Sequence, residues 1–86
     1  MTDQDVLDSC SRVLRAILSD DSIVLTMETT RDDVTNWDSF AYVNFIAVVE
    51  IELRVKFRVA EVESFENVGA IVRRIRALQS SQYKQS

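Results

Sequence analysis

Apolar residues recur near the start of the chain at Val6, Leu7, Cys10, Val13, Leu14, Ile17 and Leu18, the three- and four-residue steps of one helical face. This spacing predicts an amphipathic helix from about Asp3 to Leu18. Thr2 or Asp3 is placed to cap it, and Asp3 and Asp5 suit the positive end of its dipole. Residues 19 to 38 then lose the period. A connection of about twenty residues is long for a compact domain and needs either a function or anchors of its own. Ile23, Val24, Leu25, Met27, Val34 and Trp37 are the candidate anchors, since neither proline nor glycine is present to shape the turns.

The next stretch, Phe40 to Val49, contains one strongly polar side chain, Asn44. Two periods compete over it and the residues that follow. Tyr42, Ile46, Val49 and Leu53 trace one helical stripe; Phe40, Val43, Ala47 and Ile51 trace a second roughly opposite, with Asn44 among them. That predicts a helix from Ser39 to about Leu53. A domain this small hardly surrounds a helix, so one face belongs to the core and the other is left for a partner. Against this, Glu50, Glu52, Arg54, Lys56 and Arg58 alternate strictly with Ile51, Leu53, Val55, Phe57 and Val59, the period of a strand. Were that alternation to win, the fold would be α+β.

After a turn near Arg54 to Arg58, a short helix is expected around Ala60 to Ser64. Val68, Ile71, Val72, Ile75 and Leu78 predict a last helix, with Asn67 as its cap. Gly69 inside it gives up propensity and permits close approach to a neighbour. Gln79 to Ser86 is polar and aperiodic. A single domain over 1–78 and a flexible C-terminal tail over 79–86 are therefore expected.

Composition narrows the chemistry. With 86 residues, 47% apolar and 28% charged, the chain supports one modest core. No run reaches the length of a membrane span, and Met1-Thr2-Asp3-Gln4-Asp5 is acidic where a secretory signal is basic, so a cytoplasmic location is expected. Cys10 lies on the apolar stripe without a basic neighbour and reads as a small buried hydrophobe; as the lone cysteine it offers no metal cluster. There is no histidine, which removes the usual base for a nucleophile and the commonest zinc ligand together. The acids are scattered, so no catalytic residue is identified and an enzyme is not expected. Charge is uneven: residues 1–38 carry nine acids and three bases, residues 39–86 five acids and seven bases. Arg54, Lys56 and Arg58 form one basic cluster and Arg73, Arg74 and Arg76 another, but the acidic half and a net charge of −4 argue against nucleic acid as a partner.

Asn36-Trp37-Asp38-Ser39-Phe40 joins the acidic loop to the apolar segment. A hydroxyl at Ser39 stands beside a carboxylate and at the N-terminus of the second long helix, if that helix forms. Three longer helices, a long first loop, a short third helix and Asp38-Ser39-Phe40 at that junction together resemble an acyl carrier protein, a family with Asp-Ser-Leu here and often Trp or Gly just before it. The likeness runs over residues 3 to 78. It includes the spacing from Asp38 to Leu53, on to Phe57 and Phe65, and the Val68, Ile71, Val72, Ile75 pattern. The resemblance implies an all-α four-helix bundle with three longer helices, a short third helix and a long loop between helices 1 and 2. It also implies 4′-phosphopantetheine, attached covalently to Ser39 by a separate phosphopantetheinyl transferase. Acyl or related groups are then held as thioesters and presented by a monomer to acyl-loading, elongating or acyl-transfer enzymes of the kind found in fatty acid biosynthesis.

Partner contacts in such carriers use the helix after the serine, which here offers Asp38, Phe40, Val43, Asn44, Ala47, Glu50 and Ile51. The sequence departs from the common pattern. Asn44 and Ile51 stand where fatty-acid carriers are usually acidic, and Arg54, Lys56 and Arg58 occupy a loop that is usually acidic and ends in a proline absent here. Steering by negative charge is therefore weaker than usual, which suits a specialised carrier with dedicated partners. Val62, Phe65 and Ile71 fall at family positions around the acyl pocket, and their bulk implies a restricted one; ordinary core packing accounts for them equally well. The residues alone leave an alternative: an unmodified helical interaction module, in which Asp38 and Ser39 only cap the helix and Phe40, Val43 and Ala47 dock on a partner.

Overall fold

The computed structural model describes the backbone of residues 1–85 and the side chains of residues 1–80. Its elements are α1 (Asp3–Leu18), a 3-10 turn (Arg31–Asp33), α2 (Ser39–Leu53), α3 (Val59–Ser64) and α4 (Val68–Gln85). The fold is all-α, three longer helices and one short, and no strand forms among the described residues.

α1 begins at a reciprocal cap: the Asp5 N–H donates to Thr2 Oγ1 at 3.1 Å and the Thr2 N–H donates to Asp5 Oδ2 at 3.0 Å. Thr2 holds the Asp5 carboxyl below its ordinary value, first through its backbone N–H and then through its side chain. Val6, Leu7, Cys10, Val13 and Leu14 are buried, with Ile17 and Leu18 packed at the edge. Burial pushes the Cys10 thiol up to about 12, so it serves as a neutral hydrophobe. α1 packs on both α2 and α4 and is the centre of the bundle.

The long connection is tied down rather than loose. Ile23, Leu25 and Trp37 are buried and Met27 and Val34 half-buried, whereas Val24 points to solvent and anchors nothing. The middle of its backbone is fixed to two helices: Leu25 N–H donates to Ser11 Oγ of α1 at 3.3 Å, and Val68 and Gly69 at the start of α4 donate to Thr29 O and Met27 O, each at 2.8 Å. A Cβ on Gly69 would lie 2.5 Å from Met27 O, so glycine is what allows this approach. Asn67 Oδ1 accepts the Ala70 N–H at 2.9 Å and caps α4 as expected.

The contest over residues 50–59 ends in a division. α2 runs through Leu53, and Arg54 turns the chain in the left-handed conformation, φ 56°. Beyond it the alternation is real but short: Val55 and Phe57 are buried while Lys56 and Arg58 are exposed. No neighbouring strand pairs with this segment; the Phe57 N–H instead donates to Glu50 Oε2 at 2.8 Å. α2 buries Ala41, Phe45, Ile46 and Val49, with Tyr42 and Leu53 half-buried. Ala41 and the fully buried Phe45 lie between the two stripes read from the sequence, because a helix apolar nearly all round gives no polar edge to mark its core face.

α3 is held from three sides. Tyr42 O–H of α2 donates to Val62 O at 2.6 Å, Phe57 and Phe65 meet edge-on with centroids 5.4 Å apart, and Arg74 of α4 forms an ion pair with Glu61. α4 continues past Leu78 to Gln85; the tail expected over 79–86 is a segment whose side chains, from residue 81, lie outside the described residues. No helix among the described residues is long and apolar enough to cross a membrane.

Candidate functional site

The junction before α2 is built outward from Trp37. Its indole is 5% exposed, edge-on to Phe45 at 5.2 Å and tilted against Tyr42 at 6.1 Å. Asn36 takes φ 70°, a conformation asparagine tolerates better than most residues, and so reverses the chain into that anchor. With Trp37 fixed inward, Asp38 and Ser39 emerge at the surface, and both are exposed. Asp38 is the N-cap: its Oδ1 accepts the Ala41 N–H at 2.9 Å. Ser39 is the first residue of the helix, and among the described residues its hydroxyl makes no hydrogen bond. The two side chains are therefore not equivalent. Asp38 does the capping and Ser39 is left free.

Beside Ser39 lies an open groove of about 650 Å³ between α2, α3 and the segment joining them. Tyr42, Ile46, Phe57, Val62 and Phe65 give it an apolar floor, and Arg31, Glu50, Lys56 and Glu63 stand at its sides. Arg31 is carried there by the 3-10 turn, with its guanidinium carbon 4.7 Å from the Tyr42 ring centroid. Burial pushes the Tyr42 phenol above its ordinary value, partly offset by the Arg31 charge, so it remains a hydrogen-bond donor to Val62. Of the three bulky residues singled out in the sequence, Val62 and Phe65 line the groove; Ile71 is a core residue behind them. Arg31, Lys56, Val59 and Glu63 were not expected at the groove. Arg31 lies eight positions before Ser39 on an aperiodic loop, so no pattern in the chain marks it.

The remaining candidates separate by face. Phe40 and Ile51, each 78% exposed, and Val43, Asn44 and Ala47 form an outward surface continuous with the serine. Glu50 turns to the flank, is half-buried and spends one carboxylate oxygen on Phe57.

Comparison with known proteins gives one informative match. The solution NMR structure of a holo acyl carrier protein from Geobacter metallireducens superposes with a TM-score of 0.85 at 31% sequence identity, over 94% of this chain and 93% of that one. The chain belongs to the acyl carrier protein family. Scans against protein-family models and against curated proteins returned no match. Within an acyl carrier fold, the free hydroxyl of Ser39 and the groove beside it are the features that the capping, packing and chain reversal described above do not use.

Proposed function

We propose that the chain carries acyl or related groups on 4′-phosphopantetheine attached to Ser39, and presents them to acyl-loading, elongating or acyl-transfer enzymes after modification by a phosphopantetheinyl transferase. The observation that supports this most is the exposed Ser39 hydroxyl, which has no hydrogen-bond partner among the described residues and adjoins the apolar groove. When attached, the prosthetic group supplies a terminal thiol on which the cargo is held as a thioester. The residues fit the rest. The first N–H groups of a helix lack intrahelical partners and favour an anion; Asp38 takes those of Ala41 and Tyr42, and among the described residues those of Ser39 and Phe40 are left. Asp38 repels a phosphate, which favours a phosphodiester turned to solvent. Tyr42, Ile46, Val62 and Phe65 offer apolar contact to a cargo short enough for the groove. The chain provides attachment and shelter, and its partners provide the acid and base. On this reading it is a cytoplasmic monomer with dedicated partners, its single domain spanning 1–78.

The outward apolar surface of α2 also suits an unmodified interaction module. One comparison separates the two. Incubated with coenzyme A and a phosphopantetheinyl transferase, the wild-type protein gains the mass of one phosphopantetheine and Ser39→Ala gains none. Failure of several unrelated transferases to modify a folded wild-type protein favours the unmodified module.

A further inference from the structure

The connection between α1 and α2 holds six acids, Asp20, Asp21, Glu28, Asp32, Asp33 and Asp38, and one cation, Arg31. An arginine in that company is expected to pair with a neighbour. Among the described residues Arg31 forms no ion pair, although Asp32 and Asp33 follow it in the 3-10 turn and Glu63 lines the same groove. Asp33 instead accepts the Thr30 N–H at 2.9 Å and closes the turn. The Arg31 guanidinium lies on the Tyr42 ring, 4.7 Å from its centroid, in the groove that Ser39 also lines.

Helix geometry brings that charge toward the serine. Ser39 and Tyr42 are three apart on α2 and so are neighbours on one face, with Cβ atoms about 5–6 Å apart. A helical side chain leans toward the N-terminus and covers the turn before its own Cα, so the Tyr42 ring brings Arg31 to the Ser39 side. The ring is held there: its O–H donates to Val62 O at 2.6 Å, and Trp37 packs against it at 6.1 Å. Stacking occupies the guanidinium face and leaves its N–H edge open, a planar fork that matches phosphate. Glu50 lies further off, about 16 Å along α2 from Ser39, and Lys56 adjoins the Phe57 N–H that Glu50 accepts. Asp38 and Glu63 are the carboxylates nearer the serine, and Asp38 spends one oxygen on the cap.

On the carrier reading above, we propose that Arg31 binds the phosphate carried on Ser39, donating from its guanidinium N–H groups to the phosphate oxygens, and so starts the phosphopantetheine arm over Tyr42 into the groove. Asp38 turns the phosphodiester away from the cap, and Arg31 is the cation that meets it outside. Arg31 is a positioning residue: it acts on where the arm lies and takes no part in thioester chemistry. The contact depends on charge-assisted hydrogen bonds at close range, so the net charge of −4 does not prevent it.

The test separates this contact from the attachment of the arm. Phosphoserine is installed at position 39 during translation, with no transferase, and its second ionisation, ordinarily at about pH 6, is followed by phosphorus NMR. The expected value is about half a unit lower in the otherwise wild-type protein than with Arg31→Gln, with Arg31→Lys between them and the difference smaller as salt rises. The helix end and Asp38 are common to all three proteins, so the difference belongs to Arg31. In protein loaded from coenzyme A by a transferase, the Arg31 Nε–H resonance should shift from its unloaded position, and proton NOEs between the arm and the Tyr42 ring should be lost in Arg31→Gln. Helical content of the unmodified variants, read by circular dichroism, should match wild type. Equal phosphoserine ionisation with arginine and glutamine at position 31 overturns the proposal. So does an Arg31 resonance that loading leaves unmoved, or NOEs to Tyr42 that persist in Arg31→Gln. A folded protein that no transferase loads, yet whose phosphoserine responds to Arg31, sustains the phosphate contact and overturns the carrier reading.

Discussion

At the start of α2 two adjacent side chains divide the labour. Asp38 accepts the Ala41 N–H and holds the helix; Ser39, next in line, bonds to nothing among the described residues. A serine that served as the cap would cost stability when removed, and this one does not serve. Asp38→Ala is therefore expected to cost about 0.5–2 kcal/mol, and Ser39→Ala to stay within about 0.5 kcal/mol, in urea unfolding of the unmodified protein. Equal losses at the two positions contradict the division. Three other carboxylates set the response to acid. Asp5 is lowered first by its Thr2 bonds, Asp20 by the Ser22 hydroxyl and N–H, and Glu61 by the Arg58 N–H and then Arg74. A carboxyl whose native pKa lies below its unfolded value stabilises the fold above the unfolded value and loses that contribution as pH falls through the native one. The ordinary values here are 3.8 for the aspartates and 4.5 for Glu61. Thermal stability should hold from neutrality to about these values and decline below them; a melting temperature that rises on acidification to pH 3 runs against this.

Among the elements, α1 and α4 were legible because each has one apolar stripe and a polar remainder. The 50–59 region was not, because its two periods overlap. Val55 to Arg58 does alternate inward and outward, yet as an extended strap laid on the core with Glu50 for a hydrogen-bond partner. Period two reports which side chains face in; it does not report whether another strand lies alongside. The left-handed turns at Ser19 and Arg54 are equally silent in the sequence, since glycine, the residue that usually marks them, occurs once in the chain and elsewhere. That glycine has another task. Gly69 lets the N-terminus of α4 touch the long loop, with its N–H on Met27 O. Gly69→Ala gains helix propensity but places a methyl group against a backbone oxygen, so a net loss of about 1–3 kcal/mol is expected in denaturant unfolding. Neutral or increased stability would mean the loop yields without cost.

For the whole molecule, one small core gathered on α1 leaves α2 with a second apolar face, and the segment after α2 with its cations turned out. The sequence carried the position of Ser39 and the outward face of α2, because both follow from local periodicity. It did not carry Arg31 or Glu63 at the groove, which depend on how the loop and α3 fold back. The central claim concerns one oxygen, and the chain supplies a direct way to find it. Trypsin cleavage after Arg31 and Arg54 releases residues 32–54, a peptide with a single serine, Ser39. Tandem mass spectrometry of the transferase-treated protein should place one phosphopantetheine on that peptide and at that serine. An added group on any other peptide, or none on a protein shown to be folded, contradicts the account.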